Sequence, residues 1–183
     1  MYPRRVIITS KLWVQDMLNQ DIAAAGIEAS LKKSGLEYFD LYLLHQAMRD
    51  YFSAWRALED AYEEGKLKAI GVSNFYPHVL ANFCETVRVK PMVNQVELHP
   101  YFAQPEALAT MKYYNVQPEA WAPLGGGRHK PFEIICFRVL QMPIKNRFLR
   151  SFCVGIFNGE WSLFRNRHIN SVSKKILLFG ISH

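Results

Sequence analysis

Five strand-end stretches of this 183-residue chain carry polar or aromatic side chains where chemistry could be done, and among them His45 could handle a proton. His45 ends the apolar run Asp40-Leu-Tyr-Leu-Leu-His45 and alone in that run can donate or accept a proton near neutral pH. A strand that buries its body and shows a histidine at its C-terminal end places chemistry at a rim. Singly, His45 reads more readily as a satisfied core or loop histidine than as a catalytic one. Its company changes that, because Lys11 with Trp13, Ser73 with Asn74, Gln95 to His99, and Trp121 to Gly127 end the other strand candidates.

Those candidates alternate with helices. Arg5 to Trp13 is β-branched and apolar, and Ile22 to Ser34 reads as a helix stopped by Gly35. After the strand Asp40 to His45, the residues Tyr51, Trp55, Leu58 and Tyr62 share one helical face closed by Gly65. Lys68 to Ser73 is the third strand, and Pro77 opens a helix to about Val87. Met92 to Leu98 is the fourth strand, Pro105 to Tyr114 a helix, and Val116 to Leu124 the fifth strand. Such regular βα alternation predicts a parallel sheet, either a barrel or a doubly wound sheet, with its site at the C-terminal strand ends.

Composition narrows the function classes. The chain suits one domain, and no apolar run approaches the roughly 18 residues of a membrane span. Cys84, Cys136 and Cys153 show no metal or disulfide spacing, and Met1 to Arg5 lacks a signal-peptide core, so the expected compartment is the cytosol. The net charge of +6 does not point to nucleic acid. Residues 1–130 carry 14 Lys+Arg against 14 Asp+Glu, so all the excess lies in the tail.

The motifs I-T-S-K-L-W (8–13), D-L-Y-L-L-H-Q (40–46), G-K-L-K-A-I-G-V-S-N-F (65–75), V-N-Q-V-E-L-H-P-Y (93–101) and E-A-W-A-P-L-G (119–125) resemble the aldo-keto reductases. They are similar above all to the bacterial branch of 2,5-diketo-gluconate reductases. The resemblance implies a (β/α)8 TIM barrel, present here as about family strands 3 to 7. It also implies hydride transfer between NADP(H) and a small-molecule aldehyde, ketone or keto-sugar, without metal or flavin, by a protein that is usually monomeric. By the same resemblance Lys11 is the lysine that lowers the pKa of a catalytic tyrosine, and His45 orients the substrate carbonyl. Ser73, Asn74 and Gln95 hold the nicotinamide carboxamide, Trp121 stacks on the nicotinamide, and Pro123, Leu124 and Gly125 surround the pyrophosphate. Trp13 is a wall of the substrate pocket. Trp55 and His99 are assigned to packing.

Two departures from the family pattern accompany the resemblance. The family's D-T-A-x-x-Y segment, with its catalytic tyrosine and the aspartate that pairs with the lysine, has no counterpart, and Tyr38, Tyr42 and Tyr51 do not stand in a matching context. After about residue 132 the family sequence stops. Read one nucleotide upstream, Gly155 to Arg167 can be encoded to give W-N-I-Q-R-G-V-V-V-I-P-K-S, and Lys174 to His183 permits E-E-N-F-A-I-W-D-F-T, both like the family C-terminus. The expected organisation is therefore a partial reductase domain over 1–132 and an out-of-frame, poorly ordered tail over 133–183. The competing reading of the tail is a nucleic-acid-binding extension based on Arg165, Arg167, Lys174 and Lys175. The expected chain is an inactive relative of a reductase, the alternative being a non-catalytic binding remnant.

Overall fold

The computed structural model describes residues 7–99 and 101–123. Leu124, Gly125 and the tail, with its out-of-frame reading, lie outside the described residues. Five strands, β1 (Thr9–Leu12), β2 (Leu41–Leu44), β3 (Ile70–Ser73), β4 (Val93–Glu97) and β5 (Gln117–Trp121), form one all-parallel sheet in the order β1-β2-β3-β4-β5. Between them run α1 (Gln20–Ser34), α2 (Tyr51–Glu63), α3 (Pro77–Thr86) and α4 (Pro105–Tyr114). A doubly wound sheet reverses its strand order at a switch point. Here the order never reverses, so the sheet is a stretch of barrel wall.

Register and side-chain contacts give the wall its curvature. Lys11, Leu43, Gly71 and Val93 are successive register partners on four strands. In a flat sheet β1 and β4 would stand about 14 Å apart, three strand spacings. Yet the Lys11 ammonium donates a hydrogen bond to Gln95 Oε1 on β4. The face that carries Lys11 is therefore concave. Gly71 makes room on it, since a Cβ there would stand 2.6 Å from the Val93 carbonyl oxygen and 2.7 Å from Leu43 Cδ2. Gly71→Ala is expected to cost about 1–3 kcal/mol of stability, as overpacking does, measured as a lower urea midpoint at unchanged slope. A midpoint equal to that of the parent would count against this crowding.

The opposite face carries the core. Leu12, Tyr42, Leu44, Ile70, Val72, Val96 and Ala120 pack beneath Ile27, Leu31, Trp55, Leu58, Phe83 and Met111 of the helices. On the expected α2 face, Trp55 and Leu58 are fully buried, while Tyr51 and Tyr62 are partly buried against the same cluster.

Element ends differ from the sequence expectation for local reasons. The first strand closes at Leu12, because Trp13 caps the 3-10 turn Val14–Asp16. Helix α1 starts two residues before Ile22, because the Asn19 side chain accepts from the Ile22 amide at 2.9 Å. Gly35, in left-handed conformation at φ 66°, ends it as expected. Proline opens both α3 and α4. No helix among the described residues is long and apolar enough to cross a membrane.

Candidate active site

At the C-terminal strand ends, the concave face holds a connected set of polar groups. Register alone places three of them side by side, since Ser73 pairs with Gln95 and Gln95 with Glu119. Gln95 Nε2 donates to Glu119 Oε1 at 2.6 Å, completing a line from Lys11 through Gln95 to Glu119. Ser73, wholly buried, donates through its hydroxyl to the Gln95 carbonyl at 3.0 Å.

Asn74 leaves the strand in the left-handed region, at φ 57°, which asparagine tolerates better than most residues. This turn lets its amide reach two neighbours. Nδ2 donates to Ser73 Oγ at 3.2 Å, and Oδ1 accepts from the Trp121 indole at 2.8 Å. Buried Asn94 braces the same turn, donating to the Phe75 carbonyl at 2.9 Å and accepting from the Phe75 amide at 3.4 Å. A small pocket adjoins Asn74 and Trp121, with Tyr76, Glu97, Phe102 and Gln104 around it.

On the other side, His45 follows β2 and holds its backbone amide on the Leu12 carbonyl at 3.1 Å. The Trp13 ring, half exposed, lies against the imidazole with centroids 4.5 Å apart. His45 Nδ1 is buried with no hydrogen-bond partner among the described residues. Burial and the nearby Lys11 charge both hold the imidazole below its usual pKa, so it is neutral at neutral pH. A histidine depressed in the folded state costs stability once pH falls through its ordinary value of about 6.5, because the unfolded chain takes up the proton first. His45→Gln is therefore expected to shrink the loss of unfolding free energy between pH 7.5 and 5.5. An unchanged loss would contradict this assignment.

Lys11 is half-buried, and desolvation lowers its pKa while the Glu119 charge opposes. The Glu119 carboxyl is raised by burial, against the Gln95 hydrogen bond and Lys11. Desolvation leads for both partners.

The sequence thus brings Lys11, Trp13, His45, Ser73, Asn74, Gln95 and Trp121 to one end of the sheet, with Pro123 two residues beyond β5. Trp55 and His99 are buried in packing roles: the Trp55 indole donates to the Val89 carbonyl at 3.0 Å, and His99 lies against Glu97 and Phe102. Tyr42 shares a hydrogen bond with Ser30, Tyr51 packs on Phe52 and Phe75, and Tyr38 lies under Lys68. Sequence reasoning missed Glu119 and Asn94. Period-two spacing from Trp121 was the available signal for Glu119. Among the described residues no cluster of three or more His, Cys, Asp or Glu could hold a metal ion.

Comparison with known proteins agrees with this fold. Glyoxal reductase of Bacillus subtilis (strain 168) is 44% identical over 131 residues, which are 71% of this chain and 47% of that protein. An aldo-keto reductase from a deep-sea metagenome superposes with a TM-score of 0.71 at 38% identity, covering 75% of this chain and 52% of that one. A Bombyx mori aldo-keto reductase solved in complex with NADP superposes with a TM-score of 0.69 at 27% identity, covering 75% and 50%. The chain spans about half the length of the curated relatives it matches. The model of the aldo/keto reductase family matches residues 2–142. The chain belongs to the aldo/keto reductase family.

Proposed function

We propose that this site binds NADP(H) and serves the reduction of small aldehyde, ketone or keto-sugar carbonyls. One observation carries the reading: Lys11, His45, Ser73, Asn74, Gln95 and Trp121, drawn from five strands, meet on one rim of a barrel wall in a family whose solved members include an NADP complex.

The residues present fit a nicotinamide. Its carboxamide needs one donor and one acceptor. Asn74 Nδ2 spends one hydrogen on Ser73 and keeps one, and Gln95 Oε1 keeps a lone pair beside Lys11. Trp121, its indole fixed by Asn74, offers a ring face for stacking. The nicotinamide supplies the hydride. Toward a substrate oxygen that gains negative charge, neutral His45 would donate a hydrogen bond and the Lys11 ammonium would stabilise the charge, the proton that completes the alcohol being taken from water. Trp13 walls the substrate side. Pro123, Leu124 and Gly125 are assigned to the pyrophosphate, and the protein acts as a cytosolic monomer.

Titration with NADPH, followed by nicotinamide fluorescence, tests binding, and oxidation of NADPH with glyoxal, methylglyoxal or a keto-sugar tests turnover. Saturable binding with turnover supports the reading, and neither would reject it. A second reading, the inactive chain expected from the missing tyrosine segment, is binding without turnover. It is favoured by Lys11, whose hydrogen-bond partner is Gln95, and by Tyr38, Tyr42 and Tyr51, which are engaged elsewhere. For residues 133–183 we keep the out-of-frame origin. An intact reading frame with no family-like neighbour frame would end that idea.

A further inference from the structure

The buried carboxyl groups among the described residues are Glu59 and Glu119. Glu59, on α2, has an evident structural task. It accepts from the Val89 amide at 2.7 Å and stands 3.8 Å from the Arg88 guanidinium. Among the described residues no cation lies in direct contact with Glu119. Its carboxylate accepts from Gln95, whose other end meets Lys11.

The chemistry of the three groups fixes the direction of the middle one. An ammonium only donates, and an ionised carboxylate only accepts. Gln95 must then turn its carbonyl oxygen to Lys11 and its amide nitrogen to Glu119. The flipped amide would set N–H against ammonium and oxygen against carboxylate, losing both bonds. In a buried line such as this, each hydrogen bond polarises the next and attraction is passed along it. Glu119 is 6% exposed and Gln95 8%, so water screens the line little.

Resting on the nicotinamide reading above, we infer that Glu119 is a positioning residue: through the Gln95 amide it acts as the remote counter-charge of Lys11 and fixes which atoms Gln95 offers to the cofactor carboxamide. Among the described residues, the other groups on this face leave this task to it. From β2 comes neutral His45, from β3 Gly71 and Ser73, and from β4 Gln95 itself, with Glu97 one row further on and turned to His99 at 3.3 Å. The electrostatic directions agree, since Glu119 opposes the fall in the Lys11 pKa and Lys11 opposes the rise in that of Glu119. The sign follows. Removing the Glu119 charge releases Lys11 to lose its proton at lower pH.

The test uses the full chain, labelled with 13C at lysine Cε, with the Lys11 signal assigned by its loss in Lys11→Arg. Glu119→Gln is expected to lower the Lys11 titration midpoint by about one pH unit, the low end for a nearby opposite charge, and Glu119→Asp by less. An unmoved midpoint in a folded Glu119→Gln protein overturns the inference. Should that variant not fold, the parent chain decides. Its Gln95 side-chain amide resonances are expected to shift through the Lys11 titration, and resonances that stay fixed overturn the bridge. NADPH affinity, measured alongside, separates the two readings. Failure of the parent chain to bind NADPH counts against the cofactor reading, whereas the Lys11 midpoint and Gln95 response judge Glu119 independently.

Discussion

Lys11→Met is expected to lower kcat/KM for NADPH-dependent reduction of glyoxal by about 10²–10³-fold, the usual effect of removing one group that stabilises a developing oxyanion. Methionine keeps an unbranched stem and removes the ammonium, so the packing of β1 changes little. What is lost is the positive charge on the concave face and the donor to Gln95 Oε1. Because that charge matters most when negative charge has grown on the substrate oxygen, the loss falls on kcat more than on KM. NADPH affinity is expected to change less than tenfold, since Ser73, Asn74 and Trp121 keep their mutual hydrogen bonds. Steady-state kinetics on both proteins make the comparison. Turnover within threefold of the parent would mean that Lys11 is a solvated rim lysine and nothing more.

The largest stability effect is expected on the other side of the sheet. Trp55→Ala removes a fully buried indole and is expected to cost about 3–5 kcal/mol, the range for Phe or Trp to Ala in a core. The ring stands edge-on to Phe83 at 5.1 Å between centroids, and Phe83 in turn meets Tyr51, Phe52 and Phe75. Its Nε1 also satisfies the Val89 carbonyl at 3.0 Å, so truncation leaves a cavity and an unpaired acceptor together. Trp55→Phe refills much of the cavity but not the hydrogen bond, and is expected to fall between the two. Urea unfolding followed by circular dichroism ranks the three proteins. A Trp55→Ala midpoint close to the parent's would show that α2 is held by other contacts.

Much of the scaffold was legible because it is written in local patterns. Gly35 stops α1, prolines open α3 and α4, and the spacing of Trp55 and Leu58 marks the buried side of α2. Lys11, His45, Ser73, Asn74, Gln95 and Trp121 were legible as strand ends, and their motifs as a family resemblance. Strand order was legible only through that resemblance, because periodicity says which face a residue takes and not which strand lies beside it. For the same reason Glu119 escaped notice. An acidic residue in mid-strand reads as solvent-facing, and only the pairing of Gln95 with Glu119 shows that its neighbour is an amide of the site. The Asn74 turn was hidden too, since its left-handed backbone depends on Asn94, a residue on the adjacent strand.

The unbroken strand order also bears on how the chain comes to be folded. Each strand pairs with the one made just before it, joining residues 32, 28, 22 and 24 positions apart, as in Thr9 with Leu41, Leu44 with Val72, Ser73 with Gln95 and Val93 with Gln117. Closing loops of such similar length costs nearly the same entropy at every step. A nascent chain leaving the ribosome N-terminus first therefore always has a finished template for its next strand, and the wall can lengthen in the order of translation.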